Sequence, residues 1–262
     1  MENTDWFLKG WAEQVEDQAD EADKAERETV CPNGRYAGVY SDGKITFSKM
    51  FGHMKTVHTH RKLVAQGCFR VGLYWQGMTH DLSKYSPVEF WNSVRYYQYG
   101  KQSPNNGERV VKGYSESWIH HKGHNMHHYE HWTDYNVQAA KRGEFPVRPV
   151  QMPRRYVAEM LMDRIAASKT YMKDRYSQHE PLKYYIRGKA GSLMHPQTAR
   201  ELEGMLRILD QRGEEACFHF VRDYYLRGYP IGGSRAGSNT KSRSGQTTQQ
   251  ARSGKQAERS DS

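Results

Sequence analysis

The stretch THDLSKYSPVEF, from Thr79 to Phe90, sets His80 beside Asp81 and puts Lys84 three positions later. Imidazole is the commonest transition-metal ligand, carboxylates complete such sites, and an ammonium can meet a phosphate oxygen as charge develops on it. Six of the thirteen histidines fall between His120 and His131, in HHKGHNMHHYEH. So dense a cluster is either a ligating face or a His-rich solvent face. Read as helix, positions 120, 124, 127, 128 and 131 share one face, and His121, Asn125 and His128 share another. Asp163 interrupts an apolar stripe of Tyr156, Met160, Ala167 and Tyr171. An aspartate turned into a core requires a cation, hydrogen bonds, or a basic partner such as Arg155. His53 and His60 share an inward face with Val57, Val64 and Val71, as ligands or as buried structural histidines.

The elements that must position these residues read as helical. One helix runs from Ser48 to a turn at Gly72–Gly77, and a second, short helix carries His80 and Asp81. Ser86-Pro87-Val88-Glu89 has an N-cap, a proline at the first helical position and a capping-box glutamate, and predicts a helix to Gly100. Residues 101–113 read as a loop. Helical segments resume near Ser115 and run, with a break at Gly123, to about Ala140. Pro146, Pro149 and Pro153 bound an extended connection. A helix from Arg154 to Tyr176 follows, then a capping box from Thr198 to Glu201 and helices to about Leu226. Two antiparallel helices joined near 70–74 would bring His60 level with His80, whereas His53 would overshoot by about 10 Å.

Outside this helical body, residues 1–28 read as an acidic helix with a Trp6/Phe7/Trp11/Val15 face. Tyr36–Phe47 reads as a hairpin around a Ser-Asp-Gly turn. The division expected is an N-terminal extension (1–47), a helical domain (48–230), and a disordered Gly/Ser/Gln/Arg-rich tail (231–262). The net charge of +9 is uneven: residues 11–28 carry −6, residues 231–262 carry +4, and residues 29–230 carry +12. A basic body suits phosphate-bearing partners, either nucleotides or, through the surface and tail, nucleic acid. The start of the chain lacks signal-peptide features and no apolar run is long enough to cross a membrane. Cys31, Cys68 and Cys217 suggest neither a disulfide framework nor a cysteine-based zinc site, so a cytoplasmic, membrane-free protein is expected.

In its order of inward-facing His60 (or His53), then His80-Asp81, then a histidine cluster, then Asp163, the chain resembles the HD superfamily. Those proteins are all-helical metal-dependent phosphohydrolases. HDLSK looks like the HD-x-x-K stretch of many members. More closely, HRKLV, WQGMTHDLSKYSPVEF, SWIHHKGHNMHHYEHW, EMLMDRIAASKTYM and MHPQT look like a family of short bacterial and phage proteins known as a domain of unknown function, over about residues 48–212. The resemblance implies an all-α, HD-like bundle with His60, His80, Asp81 and Asp163 as ligands. His121 and His128, or His120, would be added ligands, with His53 in an outer position. It implies one or two divalent ions (Mn, Fe, Mg or Zn), with Asp81 bridging.

Such a site would hydrolyse a phosphoester with metal-activated water. Lys84 would meet the phosphate, and Lys122 and Arg61 are further phosphate candidates. Two other readings are an HD-fold di-iron oxygenase, and a non-enzymatic helical protein that binds phosphate or nucleic acid around a structural metal.

Overall fold

The computed structural model describes residues 43–229, and most of this region is helical. Helix α1 spans Phe47–Arg70, α2 Tyr74–Thr79, α3 Pro87–Arg95, α4 Pro104–Lys112 and α5 Glu116–His124. Helix α6 spans Val137–Lys141, α7 Arg154–Met172, α8 Glu180–Arg187 and α9 Pro196–Phe220, which runs on into a π-helical turn at Val221–Tyr225. Two three-residue strands, β1 (Thr133–Tyr135) and β2 (Val147–Pro149), pair antiparallel with Asp134 opposite Arg148. No described helix is long and apolar enough to cross a membrane.

The acidic N-terminal helix and the basic tail anticipated from the sequence lie outside the described residues. So does most of the Tyr36–Phe47 hairpin. Its last residues are not strand: Thr46 caps α1 by accepting from the Lys49 amide, and Phe47 is already helical.

The core is built on α1, α7 and α9. Val64 and Cys68 of α1 meet Val157, Leu161, Met162 and Ile165 of α7, and Leu202, Met205, Leu206 and Leu209 of α9 close the other side. At Gly67 the approach of α1 to α7 is so close that a Cβ would lie 2.8 Å from the Met162 sulfur. Glycine there allows the two helices to draw together, and His60 and Asp163 lie on these same two helices.

Several boundaries differ from the sequence expectation, each for a local reason. Helix α2 ends at Thr79, because His80 leaves the helical region and Asp81 turns left-handed at φ 57°. Helix α3 stops at Arg95 rather than Gly100. Residues 101–113, expected to be a loop, contain α4: Ser103 caps it, Pro104 opens it and Gly113 at φ 80° closes it. Ser-Pro and a terminal glycine were a complete helix signature that Asn105-Asn106-Gly107 obscured. The expected Thr198–Glu201 capping box is not formed. Helix α9 starts earlier, with His195 as N-cap, and Thr198 Oγ1 instead accepts from the Met152 amide at 3.0 Å.

The corner between α4 and α5 is held by Glu108, which is fully buried. It accepts from Ser115 Oγ (2.8 Å), Lys112 Nζ (3.0 Å), the Ser117 amide (3.3 Å) and Ser117 Oγ. Burial raises its pKa, but the bonds from Ser117, Ser115 and Lys112 outweigh burial and hold it below its ordinary value of 4.5. The stability this gives is present above the unfolded pKa and is lost as pH falls through the lower folded one. Glu108→Gln is therefore expected to cost on the order of 1–3 kcal/mol at about pH 7. Urea unfolding of both proteins should show that gap closing as pH falls below the ordinary glutamate range.

Candidate metal centre

Four segments converge on one buried point. Helix α1 supplies His60, and the chain reversal after α2 supplies His80 and Asp81. Helix α5 and the turn behind it supply His121, His127 and His128. Helix α7 supplies Glu159 and Asp163, four residues apart and so on one face. The left-handed turn at Asp81 puts consecutive side chains into the same cluster, and Asp tolerates that conformation better than most residues. Arg61 fixes this reversal from α1. It donates to the His80 carbonyl (2.8 Å), the Met78 carbonyl (3.1 Å) and the Tyr85 hydroxyl (3.2 Å).

Asp81 is 1% exposed and stands at the middle with a different neighbourhood for each oxygen. Its Oδ2 lies 3.3 Å from His60 Nε2 and 3.2 Å from His80 Nε2. Asp163 Oδ1 joins them, 3.0 Å from His60 Nε2 and 3.7 Å from His80 Nε2. The other oxygen, Oδ1, lies 3.2 Å from His121 Nε2 and 3.5 Å from His127 Nε2, with His128 completing the group. In each of these groups of four, the ligand atoms lie within 4.8 Å of one another. Such spacing suits donors arranged around one ion at about 2.1 Å.

Behind the inner residues stand two buried glutamates. Glu159 Oε1 is 2.9 Å from His80 Nδ1 and 3.3 Å from His127 Nδ1. Glu89 reaches His121 Nδ1 through one oxygen and His120 Nδ1 through the other, both at 2.7 Å. An ionised carboxylate only accepts, so each imidazole carries a proton on Nδ1, and His80, His121 and His127 turn Nε2 inward; this is the arrangement that orients metal-ligating histidines.

Burial opposes the charge on Asp81, but His80, Lys84 and His121 outweigh it and hold its carboxyl well below the ordinary range. Asp163 is held down in the same way by His60 and His80. For His128, burial and then the neighbouring imidazoles of His127 and His121 push the pKa well down. Lys84 Nζ donates to Asp81 Oδ2 at 2.5 Å. Burial alone would lower its pKa, but Asp81 and Asp163 raise it to about 12.

Of the residues singled out in the sequence, His60, His80, Asp81, His121, His128 and Asp163 are brought together, with Lys84 against them. His120 stays outside, half-buried on Glu89 and stacked on His124. His53 also lies outside the groups, between Phe90 and Tyr97, with ring centroids 5.7 and 5.8 Å away. Arg61 spends its donors on the reversal, and Lys122 is half-buried on α5 and is not among the groups that hold the Asp81 charge.

His127, Glu159 and Glu89 were not singled out. A helical reading of the histidine run put His127 on the same face as His120 and His124, but α5 ends at His124, one residue past the expected break at Gly123, and Asn125 is extended. Asn125 Nδ2 instead donates to the His121 carbonyl and to Ser83 Oγ, both at 2.7 Å, and the chain turns back so that His127 is buried. Glu159 was legible: it lies one turn before Asp163.

A family model described as "Family of unknown function (DUF5662)" matches residues 49–208, a span that holds every residue of the cluster. No curated protein and no solved structure matches the chain.

The position of His53 gives a test of whether it belongs to the centre. It is 5% exposed and neither ring nitrogen has a hydrogen-bond partner; burial, then the charge of Lys84, lower its pKa to about 4. An unpartnered buried polar group is a cost, so His53→Leu should leave the unfolding free energy unchanged or raise it by up to about 2 kcal/mol. Thermal unfolding checks this, and a loss of several kcal/mol would mean the ring is coordinated or bonded.

Proposed function

The chain belongs to the DUF5662 family of unknown function, and we propose that it is a metal-dependent phosphohydrolase acting on a nucleotide or a related phosphoester. The observation that carries this reading is a set of unpartnered buried lone pairs. Asp81 Oδ1, His127 Nε2 and His128 Nε2 have no hydrogen-bond partner, and all three belong to one ligand group. Each such atom costs about 1–3 kcal/mol unless something satisfies it, and a cation satisfies all three together. The donor set, imidazole nitrogens with carboxylate oxygens, suits Mn, Fe or Zn better than an all-oxygen ion such as Ca. The HD-like chain order of His60, His80-Asp81 and Asp163 supports the same reading.

Bound divalent ions would lower the pKa of a ligated water toward neutrality and draw charge from the phosphoryl oxygens. The protein's own groups do the rest. Asp81 offers one oxygen to each ligand group, so a single carboxylate sets the spacing between two sites. Glu159 and Glu89 hold the imidazoles in the ligating tautomer. Lys84 is the partly exposed cation of the cluster, with its side chain 30% accessible. Its ammonium is placed to meet a phosphoryl oxygen arriving from solvent, where charge develops in the transition state.

Initial rates of hydrolysis, read as phosphate release from nucleoside monophosphates and as cleavage of a short oligonucleotide, with Mn, Fe, Zn or Mg supplied, test the proposal. Asp81→Asn should lose roughly 10³-fold in kcat/KM, and Lys84→Met roughly 10²-fold, mainly in kcat. Absence of hydrolysis of both the monoester and the diester with every metal would overturn the hydrolase reading.

A further inference from the structure

Beyond the C-terminal end of α7 lies a cleft of about 340 Å³ that the centre does not use, lined by Tyr99, Lys101, Tyr171, Lys173 and Arg175, with Asp174 among them. Its charge is the first pointer. Neither Lys101, Lys173 nor Arg175 is ion-paired among the described residues, whereas Arg142, Arg148, Arg207 and Arg222 each hold a carboxylate. Three free cations against one acid leave the cleft positive, which concentrates anions.

Backbone strain is the second pointer. Four non-glycine residues have positive φ among those described: Asp81 at the centre, Lys189, and two walls of this cleft, Tyr99 at 54° and Lys173 at 52°. The left-handed region costs about 1–2 kcal/mol per residue, and such strain collects where side chains are held for function. At Tyr99 it holds a tyrosine ring 60% exposed at the cleft, edge-tilted on Tyr97 at 5.6 Å. An exposed aromatic beside cations is the usual platform for single-stranded nucleic acid, which stacks bases and tracks phosphates.

The third pointer joins the cleft to the centre. Tyr171 lines the cleft and is close enough to Lys84 and Asp163 for their charges to act on it. It lies eight residues beyond Asp163 on α7, about 12 Å along the helix axis. The cleft is thus on the Lys84 side of the centre, set back by a distance that a strand with several phosphates spans.

We propose that this cleft is a second phosphate subsite, and that the substrate is a short single-stranded oligonucleotide whose further phosphates lie on Lys101, Lys173 and Arg175 with a base on Tyr99. The word substrate rests on the phosphohydrolase reading; the binding itself does not.

The test is fluorescence anisotropy of a fluorescein-labelled hexanucleotide on the full chain, in EDTA and across a salt series. Because it is read without metal or turnover, a chain that hydrolyses nothing still answers it. The variant Lys101→Ser/Lys173→Ser/Arg175→Ser should bind at least about tenfold more weakly, and its log K against log salt slope should be shallower by about 2. Tyr99→Ala should weaken binding by roughly fivefold or more with the slope unchanged. The control Lys62→Ser/Lys141→Ser/Lys183→Ser removes equal charge from other exposed positions and should stay within about twofold of the parent. Undetectable binding by the parent, no loss in the cleft variant, or equal loss in both triple variants would overturn the proposal.

Discussion

The structure depends on keeping one ionised carboxylate out of water. Asp81 is almost fully buried, and an isolated carboxylate there would neutralise itself rather than remain charged. Three groups oppose that: His80 and His121 through their rings and Lys84 through its ammonium. His80 and Lys84 flank Asp81 in the reversal after α2 and His121 comes from α5, so the ionisation of one side chain requires that reversal and α5 to be assembled correctly. The left-handed backbone at Asp81 makes this possible by presenting His80 and Asp81 to the same interior. Arg61 then ties the reversal to α1, which also supplies His60. On the far side, the close contact at Gly67 brings α7 near enough for Asp163 and Glu159 to complete the ring.

Much of this was legible because helices expose their register. The α1 face of His53, Val57, His60, Val64 and Val71 is buried as its periodicity requires. Leg length alone separated His60 from His53: His60 reaches His80 with the two Nε2 atoms 3.4 Å apart, while His53 packs among aromatic rings. The aspartate in an apolar stripe was equally informative, since among the described residues Asp163 is ion-paired with His60 and His80 and with no Arg or Lys. The all-α class followed from the same periodicities.

What could not be read was decided by non-helical backbone. HHKGHNMHHYEH carries a break signal at Gly123, one residue from the observed stop at His124, but not the path beyond it, which Asn125 sets by bonding to Ser83 and the His121 carbonyl across the fold. That tertiary contact, not a local signal, turns His127 inward. Glu89 was assigned a capping role from its place three residues after Ser86. The Ser86 hydroxyl does accept from the Glu89 amide, but the glutamate side chain is spent on His120 and His121. A carboxylate near a helix N-terminus has two uses, and only the neighbouring chain decides between them.

The central claim is that Asp81 joins two cation sites, one with His60, His80 and Asp163 and one with His121, His127 and His128. Metal content by mass spectrometry, after manganese loading and exhaustive dialysis, tests it most directly when parent, His128→Ala and Asp81→Ala are compared. The account predicts two ions per chain in the parent, about one in His128→Ala, and none in Asp81→Ala. A parent without stoichiometric metal, or an Asp81→Ala variant that keeps its full complement, would contradict it.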